Sequence, residues 1–190
     1  IAAVFLLRLV FLQVIVSDHY TAMAQETRTI NFNTTPRRGT IYDRNGVVLA
    51  VSVDATSIYC NPHAVKDPRT EAYMIAKVLG GEIEDYLPSL ENKETQLYDP
   101  DSGELVLDEE TGEPVMVNVT YSYIKRQADT ELAQKVKELD LPGVYFTPDT
   151  RREYPNGAIG GQVIGVCDID GNGITGLELQ YDEILRGTPG

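Results

Sequence analysis

Ser122-Tyr-Ile-Lys125 spells S-x-x-K, the spacing that joins a nucleophilic serine to its lysine in β-lactamase-type acyl transfer. That chemistry also needs S-x-N and K-T-G partners, and the sequence contains neither. Ser122 is therefore read as the N-cap of a helix. Gly171-Asn-Gly-Ile-Thr-Gly176 spells G-x-G-x-x-G, but a dinucleotide loop needs a βαβ setting and an acidic residue about 20 positions later. Glu178 is too close, so a glycine turn is the plainer reading. Asp168-Ile-Asp-Gly-Asn172 imitates the start of a calcium loop, yet its twelfth position holds Leu179 and Glu178 falls one residue short. His19 and His63 stand far apart, and neither Cys60 nor Cys167 has a neighbour at zinc-ligand spacing. No catalytic residue, no cofactor and no metal ligand is expected in this chain.

Charge narrows the partners. Sixteen basic residues against 29 acidic ones leave −13, the wrong sign for wrapping nucleic acid. The stretch from Glu82 to Pro114 holds 12 acidic residues and one basic, Lys93, which is −11 of that total. It contains two acid-and-glycine turns, Asp99-Pro-Asp-Ser-Gly103 and Asp108-Glu-Glu-Thr-Gly112, beside short apolar alternations at 105–107 and 115–117. It reads as an exposed acidic β-hairpin or loop insertion with a solvated face.

With 42% hydrophobic residues, the chain can bury a core. Apolar runs at 40–43 and 47–60 flank Asn45-Gly46, a strong hairpin signal. Asp67-Pro68 opens a helix with Ala72, Ile75, Ala76 and Leu79 on one face, and Gly80-Gly81 stops it. The spacing of Ile124, Ala128, Leu132, Val136 and Leu139 predicts a second helix over 122–139. Val144-Tyr-Phe146 reads as a short strand, and Gly176 to Leu185 as a third helix. The fold class is α+β. Residues 1–16 are apolar except for Arg8 and Gln13, and read as the C-terminal part of a membrane anchor whose start is missing. The chain reads as a fragment cut at both ends. The scarcity of basic residues just after the apolar run places the remainder of the chain on the outer side.

Five blocks, in order, carry a resemblance. Arg38-Gly-Thr-Ile-Tyr-Asp-Arg-Asn-Gly-Val-Val-Leu-Ala50 resembles the R-G-x-I-x-D-R-N-G-x-x-L-A signature of class B penicillin-binding proteins, and Arg8-Leu-Val-Phe-Leu-Gln-Val14 resembles the end of their anchor. Leu139-Asp-Leu-Pro-Gly-Val144, Arg152-Glu-Tyr-Pro-Asn-Gly157, and Gly165 with Gly173-Ile-Thr-Gly-Leu-Glu178, Tyr181-Asp182 and Leu185-Arg-Gly187 are similar to later blocks of that family. The pattern is most similar to the septal, FtsI- and SpoVD-type branch of peptidoglycan D,D-transpeptidases.

The resemblance implies a truncated transmembrane helix over 1–16, a juxtamembrane linker over 17–36, and an elongated non-catalytic pedestal, or dimerisation domain, over 37–190 with the acidic insertion at 82–114. It implies a single-pass protein of the cytoplasmic membrane, facing outward. The serine-type transpeptidase domain, where peptidoglycan and β-lactams bind, would lie downstream. The implied partners are that domain, membrane proteins of division or elongation, and a second copy in a homodimer. It also makes 157–166 helical. Arg38, Gly39, Asp43, Arg44, Asn45, Gly46, Arg152, Tyr154, Pro155, Gly173, Gly176 and Glu178 form a structural signature rather than an active site. Glu178 is expected to approach the Arg38–Arg44 hairpin, with Arg38, Arg44 and Arg152 as donors and Asp43 as a competing carboxylate. The alternative is a membrane-anchored extracytoplasmic binding module, calcium-dependent through the acidic stretch and the Asp168 loop.

Overall fold

The hairpin signal at Asn45-Gly46 opens a sheet. Strand β1 (Ile41–Tyr42) turns into β2 (Val48–Cys60), with Gly46 at φ +84° where a side chain would be strained. The computed structural model describes residues 36–100, 102–108, 111–157 and 160–188, and Arg37–Gly187 forms one contact-dense unit. The expected anchor at 1–16, and all of the expected linker except Pro36, lie outside the described residues. No helix among the described residues is long and apolar enough to cross a membrane.

Helix α1 (Pro68–Leu79) starts where the sequence predicts it. Asp67 accepts the Thr70 N–H, Pro68 occupies the first turn, and Gly80 at φ +77° ends it. Helix α2 (Ile83–Glu91) lies inside the stretch read as a solvated insertion, and this corrects that reading. Its Tyr86 and Leu90 are buried in the core, and Ile83 and Leu87 pack against it. The apolar i, i+3, i+4, i+7 spacing is present, but Pro88 and the dense carboxylates around it mask the helical signal. A capping box between Glu82 and Asp85 supplies the start.

The helix expected over 122–139 divides in two. Strand β5 (Ser122–Ala128) pairs with β2, and Asp129 then caps helix α3 (Thr130–Lys137) by accepting the Glu131 N–H. A four-residue spacing fits one face of a helix, but the β-prone Tyr-Ser-Tyr-Ile run favours the strand. Ser122 is thus no N-cap. Ser122 pairs with Cys60, and Lys125 pairs with Ile58 across a register shift, so both residues of the S-x-x-K spacing serve sheet pairing. Strand β6 (Val144–Glu153) is far longer than expected and pairs antiparallel with β2 from Val51↔Glu153 to Cys60↔Val144. The core lies between this sheet and α1, α2 and α3, around Ile58, Cys60, Ile75, Leu90, Ile124 and Val136. On the other face Tyr59 stacks on Tyr121 and Tyr145, at centroid distances of 4.4 and 5.5 Å.

Between α2 and β5 the chain makes a separate three-armed element. Strands β3 (Glu94–Gln96) and β4 (Met116–Asn118) form its stem. The Leu97 N–H donates to Val115 O at 2.8 Å, Val106 to Leu97 at 2.9 Å, and Val115 to Val106 at 2.9 Å, closing a ring. Around that ring Tyr98 bridges Leu105, Leu107 bridges Pro114, and Gln96 pairs with Met116. The ring residues are nine apart, and the segments 97–105 and 106–114 share the pattern apolar-apolar-Asp-x-x-Ser/Thr-Gly-Glu-apolar/Pro. The result is a pseudo-threefold set of arms in which the stem takes the place of a third hairpin. Gly103 and Gly112, both at φ +70°, close the two turns.

The last segment holds three short helices, α4 (Gly161–Ile164), α5 (Gly176–Gln180) and α6 (Asp182–Arg186). The helix expected over 176–185 is broken at Tyr181, and the one expected over 157–166 is a single turn.

Candidate functional site

Four charged side chains meet where the hairpin, β6, α5 and α6 converge. Arg38 precedes β1, and its guanidinium is 5% exposed while the Glu178 side chain is fully buried. Nε of Arg38 donates to Glu178 Oε2 at 2.7 Å, Nη2 to the Glu178 carbonyl at 2.7 Å, and Nη1 to both the Gly171 carbonyl and Asp182 Oδ1. Arg152 on β6 approaches the same carboxylate from the other side, donating from Nε to Glu178 Oε1 at 2.8 Å. Its Nη1 reaches Ser52 Oγ and the Arg38 carbonyl. Asp182 Oδ1 also accepts the Gly173 N–H at 2.8 Å, and Oδ2 pairs with Arg186. Segments from opposite ends of the domain are locked by charge-assisted bonds, with both carboxylate oxygens of Glu178 in use.

Position in the chain explains how these groups come together. The antiparallel register Ser52↔Arg152 brings Arg152 beside the start of β2. The Gly39 N–H, next to Arg38, donates to the Leu185 carbonyl at 2.7 Å. The glycines of the last block permit close backbone approach. A Cβ on Gly173 would collide with the Glu178 carbonyl, and one on Gly165 with the Thr175 carbonyl.

Electrostatics reflect this packing. Burial pushes the Glu178 carboxyl up, but donation by Arg38, Cys167 and Arg152 outweighs it and holds the group below the usual carboxylate range. The Gly173 N–H and Arg38 lower Asp182 despite some desolvation. Burial, then the neighbouring Glu178, raises the Cys167 thiol to about 11, and burial raises Tyr154 to about 12. At neutral pH both are therefore protonated, and the thiol lacks the thiolate character of a nucleophile. Each of the four charged side chains is paired with another, although Arg152 Nη2 is buried without a hydrogen-bond partner, and this suits a clamp rather than a reaction centre.

The remaining signature residues divide. Asp43 does not compete for the arginines: its carboxylate accepts the Asn45 and Val47 N–H groups at 2.7 and 2.8 Å and closes its own turn. Arg44 is exposed at the hairpin tip, with no ion pair among the described residues. Tyr154 reaches from the end of β6 toward Glu178 at 3.5 Å and accepts the Cys167 N–H. Pro155 sits in the turn closed by Gly157, and Gly176, at φ +62°, starts α5. Sequence reasoning missed Asp182, although its i, i+4 spacing from Glu178 signals one helix face.

The carboxylates of the Asp168 loop are engaged within the protein. Asp168 accepts the Asp170 and Asn172 N–H groups and the Asn172 amide, while Asp170 pairs with Arg126. Among the described residues, no group of three or more His, Cys, Asp and Glu side chains is placed to hold a metal.

Residues 33–190 match the family model for the penicillin-binding protein dimerisation domain. The chain is similar to stage V sporulation protein D of Bacillus subtilis (strain 168), with 31% identity over 183 residues, 96% of this chain and 25% of that protein. It is also similar to peptidoglycan D,D-transpeptidase FtsI of Escherichia coli K12, with 30% identity over 191 residues, 100% of this chain and 29% of that protein. The chain thus spans a quarter to three-tenths of these relatives. Among solved structures it is similar to the complex between penicillin-binding protein 2 and MreC from Helicobacter pylori, at TM-score 0.55 and 22% identity. That match covers 84% of this chain and 30% of the other, and it speaks to the fold alone.

Proposed function

The chain belongs to the penicillin-binding protein dimerisation-domain family, and from that membership we propose that it is the non-catalytic pedestal of a membrane-anchored peptidoglycan D,D-transpeptidase. In this reading residues 1–16 end the anchor, 17–36 link it to the pedestal at 37–190, and the domain faces outward. It holds a downstream transpeptidase domain off the membrane and presents surfaces to division or elongation proteins, or to a second copy. The signature residues keep the pedestal rigid.

One observation carries the reading. The Arg38 hairpin, the Arg152 block and the Glu178–Asp182 block meet in one buried cluster of paired charges, in which Arg152 Nη2 is buried without a hydrogen-bond partner. A pedestal needs such a joint between its ends, whereas a hydrolase would leave a nucleophile free. The name of the FtsI relative supports the transpeptidase assignment of the parent.

Fluorescent penicillin tests it. The 190-residue chain is expected to take up no label, while the full-length parent labels once, at a serine beyond this chain. Stoichiometric labelling of Ser122, or an unlabelled parent, would overturn the reading.

A further inference from the structure

The three-armed element carries apolar side chains that stay about half exposed among the described residues. Along each arm alternate residues share a face, so the pairs Tyr98–Leu105, Leu107–Pro114 and Gln96–Met116 point the same way around the ring. Tyr98, Leu107 and Met116, one per arm, are 54%, 52% and 51% exposed. None of these residues belongs to the hydrophobic core of the domain. A small sheet of this size does not gain stability from a solvated apolar face; such a face marks a contact surface.

Charge selects what covers it. By the same alternation Glu94 shares this face with Gln96 and Tyr98, while Glu104 and Glu113 are exposed on the opposite face of the same small element, and Asp101, Glu109 and Glu110 add to its charge in sequence. Asp99 and Asp108 also hold the turns, accepting the Ser102 and Thr111 N–H groups. A second copy would bring the same eight acidic residues, with no basic one, against this element, and like charges at contact oppose pairing. An anionic lipid surface is repelled for the same reason. A basic protein segment with an apolar stripe is attracted by the carboxylates and covers the ridge.

We infer that the three-armed element between Glu94 and Asn118 is a docking surface for a basic amphipathic segment of another protein, with Tyr98, Leu107 and Met116 as the apolar contacts. This surface is separate from the clamp and does not depend on the pedestal reading. Failure of the penicillin experiment would leave it untouched.

The test uses the full 190-residue chain and a fluorescent lysine–leucine peptide of about 18 residues, five helical turns with one apolar face. Controls are a scrambled peptide of equal charge and a glutamate–leucine peptide. Saturable binding of the first peptide is expected, weakening with salt. Combined Tyr98→Ser, Leu107→Ser and Met116→Ser should weaken it by about tenfold or more. Glu94→Gln should reduce both affinity and salt dependence. An unchanged thermal transition for these exposed substitutions separates lost binding from lost folding. Equal binding of the scrambled peptide, or of the triple-serine variant, would overturn the inference. So would a concentration-dependent dimer, or adsorption to phosphatidylglycerol vesicles, that the triple-serine variant abolishes.

Discussion

In the clamp, Arg38, Arg152, Glu178 and Asp182 come from distant parts of the chain and pair with one another at side-chain exposures of 0–18%. In the three-armed element, carboxylates and apolar residues lie within one short stretch, the described backbone pairs across its own arms, and its acidic side chains are exposed where described. Both regions are rich in charge, but only one uses it to hold the fold. Buried charges are costly unless matched, so the clamp requires its chain topology. Exposed like charges cost little, so the arms can accumulate them without threatening the domain.

The sharpest way to break the comparison is to remove the shared carboxylate. Glu178→Ala leaves two buried guanidinium groups facing each other and should destabilise the domain by about 3–5 kcal/mol. Urea denaturation would measure it. A double-mutant cycle with Arg38→Ala and with Arg152→Ala would apportion the coupling. A loss below about 1 kcal/mol would put Glu178 in the same class as an exposed carboxylate and erase the distinction.

Acid should reproduce part of that loss. Glu178 and Asp182 sit below their ordinary range in the folded state, so the folded protein binds fewer protons there than the unfolded chain does. Their stabilisation is complete above the unfolded values, about 4, and is lost as pH falls through the lower folded ones. Asp43, Asp67 and Asp168, lowered chiefly by hydrogen bonds from Val47, Thr70 and Asn172, steepen the same limb. The informative measurement is therefore a difference. Urea midpoints of wild type and Glu178→Gln should diverge near neutral pH and converge toward acid, and parallel curves would show that Glu178 does not titrate with folding.

The sequence makes these two regions legible in different ways. The hairpin at Asn45-Gly46 and helix α1 arise from turn and capping residues a few positions apart, so local rules suffice. That Glu178 seeks an arginine comes from the cost of burying a lone charge, but the same rule leaves Asp43 as a rival. Its bonds to Asn45 and Val47 depend on the turn conformation, which spacing alone does not specify. Strand β5 is hidden because Ile124 and Ala128 fit a helical spacing, and the pairing partner that decides the matter is β2, more than sixty residues upstream. The threefold arms are legible in the nine-residue repeat, yet the acid-and-glycine turns point to solvation and obscure the periodic apolar positions between them.

Within the Arg38 signature itself the contrast reappears at smaller scale. Asp43→Ala removes the acceptor for the Asn45 and Val47 N–H groups at an exposed turn and should lower the urea midpoint measurably, though far less than Glu178→Ala. Arg44→Ala, one residue on, should stay within about 0.5 kcal/mol, since the side chain is exposed at the tip. Equal losses at both positions would mean that Arg44 holds the turn as firmly as Asp43 does.

The largest deletion should have only a small effect. The Val119 N–H donates to the Lys93 carbonyl at 2.8 Å, which closes the base of the stem. Replacing residues 94–118 with Asn-Gly leaves that bond to close a two-residue hairpin. No core residue is removed, because α2 ends before the stem and β5 begins after it. The free energy of unfolding should therefore change by less than about 1 kcal/mol, near the range of an ordinary surface change. The net charge moves toward zero at the same time, and relief of self-repulsion can offset whatever the arms contributed. A loss comparable to Glu178→Ala would show that the arms and the body fold as one cooperative unit, and would remove the physical basis for treating the arms as an appended surface.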